Sequence, residues 1–134
     1  MPISKPEAEA SLVRLFHGGL IERLPKKPED ARLFLALAAS VFLPQVEYSE
    51  KEVNEQLSDW LEGFTSQVSL DHVTVRRYLV DHCFLLRDVS GAMYVTNQTV
   101  IASVIGADVR VVQPRVIFDA VQQVRLERKR AHQD

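Results

Sequence analysis

Two adjacent arginines, Arg76 and Arg77, lie in the segment whose residue types best suit contact with a nucleic acid. Arginine can donate two parallel hydrogen bonds to guanine in the major groove, and threonine can contact a phosphate or a thymine methyl group. The surrounding residues, 69–95, predict a capped helix, a strand, a Ser-Gly turn and a second strand. We therefore predict a face for double-stranded DNA. Its candidate contact residues are His72, Thr74, Arg76, Arg77, Arg87 and Ser90.

A second capped helix, at 49–62, precedes this segment. Its start, Ser49-Glu50-Lys51-Glu52, is a capping box, in which a hydroxyl and a carboxylate three residues later satisfy unpaired backbone amides. Ser69 is predicted to cap the next helix, with Asp71 in its first turn. Two capped helices followed by a hairpin predict a winged helix-turn-helix. In that fold the second helix enters the major groove, and the hairpin contacts the DNA backbone.

The predicted helix from Glu29 to Leu43 is unusually apolar, since eleven of the thirteen residues from Ala31 to Leu43 are apolar. A helix that is apolar nearly all round is normally buried on every side. Before it, Ser4-Lys5-Pro6-Glu7 is another capping box and predicts a helix that ends near Phe16. Either this N-terminal helix or a second subunit can cover the apolar helix, and the pattern fits both arrangements.

Two further helices are predicted after the hairpin. Asn97 is the expected cap of a short helix that ends at Gly106, although the Val and Ile residues of this segment would suit a strand equally. A long amphipathic helix is expected from Pro114. The apolar stripe of the long helix consists of Val116, Ile117, Ala120, Val121 and Val124. We interpret this added helix as a candidate dimerisation arm. Its basic end also complements the negative C-terminal end of a helix dipole, which by itself can explain those charges.

These elements predict a mainly α fold with a small β-hairpin, in the α+β class. The core is a winged helix-turn-helix at 23–96. An N-terminal helix and link occupy 1–22, and a helical extension occupies 97–134.

The central segment, from about Arg23 to Val95, resembles the bacterial domain-of-unknown-function family numbered 2087. The motifs that carry the resemblance are Leu24-Pro25-Lys26-Lys27, Tyr48 to Asn54, Asp71 with Thr74 to Asp81, and Leu86-Arg87 with Gly91 and Tyr94. The resemblance implies a winged-helix-like domain in a bacterial protein, found alone or joined to transcription-regulator modules. It implies no catalytic residues. Cys83-Phe84 stands where the family tends to have a glycine-containing turn.

Charge limits the DNA hypothesis. Residues 24–96 hold seven Lys/Arg and eleven Asp/Glu, a net charge of −4, whereas useful DNA binders neutralise roughly 6–10 phosphates. We therefore expect DNA contact only from a homodimer, helped by the basic tail at 125–130. In an alternative interpretation, Arg76 and Arg77 pair with Asp81 or with carboxylates of the preceding helix. The chain would then be a protein-interaction or dimerisation module that does not contact DNA.

The sequence contains few groups of residues that are suited to catalysis. Glu50, Glu52 and Glu55 lie near one helical turn, a pattern that is typical of a solvated face rather than of general acid-base catalysis. Cys83 follows His82 without an orienting third group, and we interpret it as a buried structural thiol. The four histidines lack metal-ligand spacing. We expect a non-enzymatic protein without a cofactor or metal.

The remaining features indicate a cytoplasmic protein with no membrane association. The single cysteine permits no internal disulfide. No apolar run approaches the roughly 20 residues that a membrane-spanning helix needs. The N-terminal residues are polar and acidic, unlike a secretion signal. At 134 residues, the chain is long enough to bury one core.

Overall fold

A computed structural model describes residues 1–133 as six α-helices and one three-stranded sheet. The helices are α1 (Lys5–Phe16), α2 (Pro28–Ala39), α3 (Glu50–Leu61), α4 (His72–Asp81), α5 (Gln98–Val104) and α6 (Pro114–Gln133). The strands are β1 (Tyr48–Ser49), β2 (Leu85–Arg87) and β3 (Met93–Thr96). The chain is mainly helical with a small antiparallel sheet, which confirms the predicted α+β class.

The sheet has the strand order β1-β3-β2, so the last strand in the chain is the central one. β2 and β3 form the predicted hairpin, in which Leu86 lies opposite Val95. β1 pairs with the other edge of β3, and Tyr48 lies opposite Tyr94. The sheet therefore joins the start of α3 to the hairpin that follows α4. The winged helix-turn-helix interpretation of this arrangement stays a prediction.

The predicted capping boxes at the starts of α1 and α3 are both confirmed. Ser4 and Ser49 each accept a hydrogen bond from the amide three residues later, at 3.3 and 3.1 Å. Glu7 and Glu52 complete the boxes by accepting from the backbone amides of the two serines. Hydrogen bonds to these serines lower the pKa of both glutamates. The local pattern was therefore sufficient to place the starts of α1 and α3.

The prediction that Ser69 caps α4 is wrong, because Asp71 is the cap. One carboxylate oxygen of Asp71 accepts from the backbone amide of Thr74 at 2.9 Å and from its hydroxyl at 2.8 Å. Ser69 belongs instead to a tight turn in which its amide donates to the Ser66 carbonyl. That turn buries Leu70, so the helix begins only at His72.

The apolar helix α2 is covered within the chain. All seven residues from Leu33 to Ala39 are buried, and the helix packs against α4 and α5. The Trp60 and Phe64 rings also pack against Phe34, with ring centres 5.5 and 6.5 Å away. α1 contacts the start of the helix through an ion pair between Arg14 and Asp30 at 2.7 Å, and no second subunit is required. The helix also ends at Ala39, before the predicted end at Leu43, because the chain turns to pack Phe42 against Tyr48, with ring centres 5.0 Å apart.

The helices outside the central segment share its hydrophobic core. Residues of α1, α5 and α6 belong to the same buried cluster as those of α2, α3 and α4. The Phe16 ring at the end of α1 lies 6.0 Å from that of Phe64 and 5.3 Å from that of Phe118 in α6. Ile3 pairs with Ile105 in a parallel bridge. Residues 1–22 and 97–133 are thus continuous with the central core.

The interpretation of Cys83 as a buried thiol is wrong, because the residue is exposed. It follows α4 with a left-handed φ of 67°. Its amide donates to the Val80 carbonyl at 3.1 Å, and the next amide, of Phe84, donates to Leu79 at 2.8 Å. This is a Schellman motif, in which glycine normally occupies the left-handed position.

Replacing Cys83 with glycine is therefore expected to raise the free energy of unfolding by about 0.5–1 kcal/mol. The left-handed conformation costs a side-chain-bearing residue roughly 1–2 kcal/mol, and the greater unfolded-state freedom of glycine offsets part of that gain. Urea unfolding of both proteins measures the difference. The Cys83→Ala variant is the control, because it removes the thiol but keeps a Cβ atom. Equal stability of all three proteins would contradict the prediction.

Candidate nucleic-acid interface

The side chains of α4 divide between the core and the outer surface. Val75 and Leu79 are fully buried, and α4 packs against α2, α3 and β2. Arg77 and Asp81 are exposed, and their spacing of four residues places them on one side of the helix. The outer face of α4 therefore carries one cation and one anion, with no net positive charge.

Arg76 is turned toward α3 and is largely buried. One guanidinium nitrogen donates to the side-chain oxygen of Asn54, and another lies 3.6 Å from a carboxylate oxygen of Glu50. Only 14% of the Arg76 side chain is exposed, against 48% of the Glu50 side chain. Arg76 therefore pairs with α3, the preceding helix, as the alternative interpretation of the sequence describes. Arg76 holds α4 against α3.

Tyr94 connects the hairpin to the same pair. Its hydroxyl donates to the Glu50 carboxylate at 3.0 Å, and its ring is buried in β3. Burial raises the pKa of Tyr94, and the hydrogen bond to Glu50 raises it further, while Arg76 and Arg87 oppose the shift. Glu50 thus joins three elements, since it begins α3 and contacts side chains of α4 and β3.

Arg87 folds back over the hairpin. Its guanidinium carbon lies 5.8 Å from the centre of the Tyr94 ring, a cation–π geometry. Its Nε donates to the Gly91 carbonyl at 3.3 Å. Gly91 has a φ of 75°, and a Cβ atom there would lie 2.9 Å from a guanidinium nitrogen of Arg87. The positive φ of the turn therefore favours glycine, and a side chain there would also displace the Arg87 guanidinium. We call Glu50, Asn54, Arg76, Arg87 and Tyr94 the polar cluster.

The tip of the hairpin carries the carboxylate of Asp88. One carboxylate oxygen of Asp88 accepts from the Ser90 hydroxyl and the Ala92 amide, both at 2.9 Å, and from the Met93 amide at 3.3 Å. These bonds, the Ser90 hydroxyl foremost, lower the pKa of Asp88 and keep it ionised. The Ser90 hydroxyl therefore helps to form the turn. In a winged helix-turn-helix the hairpin would contact phosphate, and here the hairpin turn carries the Asp88 carboxylate.

The six candidate contact residues have different surroundings. The structure brings Arg76 and Arg87 together in the polar cluster, and Ser90 lies in the adjoining turn. The Thr74 hydroxyl donates to Asp71. The pKa of Asp71 is lowered, first by the Thr74 amide and then by this hydroxyl. His72 is partly exposed at the start of α4, and Arg77 is exposed. Among residues 1–133, Arg77 has no ion-pair partner within 4.0 Å.

Sequence reasoning missed Asn54 and Tyr94, which contact Arg76 and Glu50. It allowed pairing of the arginines with carboxylates of the preceding helix but did not single out Glu50 for that role. These contacts join residues 22 and 44 positions apart. The available signal was that all five members of the polar cluster lie in the motifs that carry the family resemblance.

Other site chemistries have little geometric support in the described part of the chain. Within residues 1–133, no group of three His, Cys, Asp or Glu side chains is placed to hold a metal ion. Glu50 and Glu52 are used by the polar cluster and by the cap of α3. No helix of these residues has the length and apolar character to cross a membrane.

One comparison with known proteins assigns the family. The model of the family described as "Uncharacterized protein conserved in bacteria (DUF2087)" matches residues 20–96. The chain belongs to this family. The DUF2087 segment runs from the link before α2 to the end of β3, and it contains the whole polar cluster. No curated protein and no solved structure matches the chain. The description of the family names no activity.

Proposed function

We propose that the chain is a non-enzymatic, cytoplasmic regulatory protein that contacts double-stranded DNA through α4 and acts as a homodimer. The element order supports this proposal, because α4 follows α3 and packs against the first strand of the hairpin. A winged helix-turn-helix has this order, and its second helix enters the major groove. The observation that carries most weight is the exposure of Arg77 on the outer face of α4. The polar cluster supports this role, because it ties α4 and β3 to α3 and so holds the helix that presents Arg77.

Within this proposal, the six candidate residues have different roles. Arg77 makes the main contact, since its guanidinium is available for a base edge or a phosphate. His72, at the start of α4, is the second contact. Arg76 and Thr74 position α4, and Ser90 shapes the hairpin turn. Arg87 is an exposed further contact, with its guanidinium resting beside Gly91 and the Tyr94 ring.

The number of available cations requires two copies. A single DUF2087 segment of net charge −4 presents few free cations near α4. Roughly 6–10 neutralised phosphates supply useful affinity. Two copies double the contacts from Arg77, and the exposed basic residues near the end of α6 add others. These are Lys129 and Arg130.

The second candidate function is a protein-interaction module that does not contact DNA. It is favoured by the engagement of Arg76, Arg87 and Ser90 within the domain, and by the carboxylate of Asp88 at the hairpin tip. Fold alone does not decide between these functions, because the same architecture serves both.

Fluorescence anisotropy with a labelled duplex pool, at about 50 and 200 mM salt, tests DNA contact. We expect binding that weakens with salt, and we expect Arg77→Ala to reduce affinity about tenfold because each dimer loses two contacts. Arg32→Ala is the matched control, since Arg32 is exposed on α2. Equal affinity of the Arg77→Ala and wild-type proteins, or no salt-sensitive binding, would favour the interaction module.

A further inference from the structure

α1 and α6 form an open groove on the side of the molecule that carries the added helices. The groove has a volume of ≈ 630 Å³. Its apolar lining comes from Val13 of α1 and from Val116, Ala120, Val121 and Val124 of α6. Several of these side chains remain open to solvent: 38% of Val13, 65% of Val116 and 47% of Val124 are exposed. This is the predicted apolar stripe of α6, and α1 covers only part of it.

The two helices run in the same direction. Near the start of α1, Ile3 pairs with Ile105, which precedes α6 in the chain. At the end of α1, the Phe16 and His17 carbonyls accept hydrogen bonds from Gln122 and Arg125, in the middle of α6. The groove therefore has two different ends. We call the end beside the start of α1 its beginning, and the end beside the Phe16 and His17 carbonyls its end.

Charge differs between these two ends. Glu9 lines the groove from the first half of α1, whereas Arg125 and Arg128 line it from the second half of α6. All three side chains are exposed. Because the helices are parallel, the negative group lies at the beginning of the groove and the positive groups lie at its end. The apolar stripe lies between them.

We propose that this groove is occupied by a second copy of the chain, packed antiparallel about a two-fold axis, so that Glu9 of each copy meets Arg128 of the other. An isologous interface requires a self-complementary surface, and a stripe with opposite charges at its ends meets that requirement. Two parallel helices from each copy form a four-helix arrangement, a common way to bury exposed valines. The inference specifies the dimer on which the proposed function rests, and it requires no DNA contact.

Light scattering coupled to size-exclusion chromatography, without DNA and from low micromolar to near millimolar protein, tests this surface. We expect a concentration-dependent dimer. Glu9→Arg and Arg128→Glu should each weaken it at least about tenfold, because symmetry turns two attractive contacts into two repulsive ones. The Glu9→Arg/Arg128→Glu double variant should dimerise again. Arg130→Glu, on the same helix but outside the groove lining, is the control and should leave the dimer intact.

Mixing the two single variants gives the sharpest result. In the mixed pair, the substituted side chains at position 9 of one variant and position 128 of the other carry opposite charges and face each other. The unchanged Arg128 and Glu9 also face each other, so a heterodimer should form although neither variant dimerises well alone.

The apolar part of the groove has its own test. Val116→Asp should weaken the dimer, whereas Val89→Asp at the exposed hairpin tip should not. Monomers at every concentration, or a wild-type dimer that both single charge variants retain, would overturn the proposal. If the protein gave either of these results and still bound DNA, the proposed contact between α4 and DNA would be unaffected.

Discussion

Replacing Phe16 with alanine is expected to lower the free energy of unfolding by about 3–5 kcal/mol, the usual cost of removing a buried aromatic ring. The Phe16 side chain is completely buried, and its ring contacts Phe64 of the DUF2087 segment and Phe118 of α6. Removing it leaves a cavity where α1, α6 and the central core meet. Chemical denaturation followed by circular dichroism measures the change.

The same experiment tests whether the added helices and the central segment unfold together. A continuous core should give one cooperative transition in both proteins, shifted to lower denaturant in the variant. Leu126→Ala is the control, because Leu126 lies on α6 but is 51% exposed, and we expect it to cost less than about 0.5 kcal/mol. A change below about 1 kcal/mol for Phe16→Ala would contradict the packing. A separate early transition of the helical additions would contradict the shared cooperative unit.

The second large expected effect distinguishes Arg76 from Arg77, the two adjacent arginines of α4. Arg76→Ala is expected to lower the free energy of unfolding by about 1–3 kcal/mol. The substitution removes a largely buried side chain and leaves Asn54 and Glu50 without their guanidinium partner. Arg77→Ala should change it by less than about 0.5 kcal/mol, because Arg77 is exposed. Urea unfolding of the two variants beside the wild-type protein supplies the comparison.

In the DNA experiment, the same two variants distinguish a displaced α4 from the loss of a direct contact. A loss of binding in Arg76→Ala can result from displacement of α4, whereas a loss in Arg77→Ala with unchanged stability reports a contact. If Arg76→Ala proved as stable as the wild type, the polar cluster would not hold α4 in place. The support that it gives to the proposed function would then be lost.

The polar cluster joins residues that lie far apart in the sequence. Glu50 and Asn54 come from one of the motifs that carry the family resemblance, Arg76 from a second, and Arg87 and Tyr94 from a third, yet all five meet between α3, α4 and the hairpin. In this chain these motifs therefore hold three elements together. Arg77, beside Arg76 in the same motif, is the member with its charge turned outward.

Local signals placed most of the helices correctly. Ser4, Ser49 and Asn97 cap helices as predicted, and α6 begins at Pro114. These signals depend on groups within four residues of one another, so they can be recognised without knowing the fold. The cap of α4 was misplaced because serine and aspartate are equally good caps, and burial of Leu70 decided between them.

The amino-acid sequence by itself determined the α+β class, the hairpin, the family and the amphipathic character of α6. Only the tertiary structure decided that α2 is covered within the chain, that Cys83 is exposed in a left-handed turn, and that Arg76 faces inward while Arg77 faces outward. The reason is physical. Periodicity and capping act over a few residues, whereas the direction of a long charged side chain depends on partners such as Asn54, 22 positions away, which folding alone brings within reach.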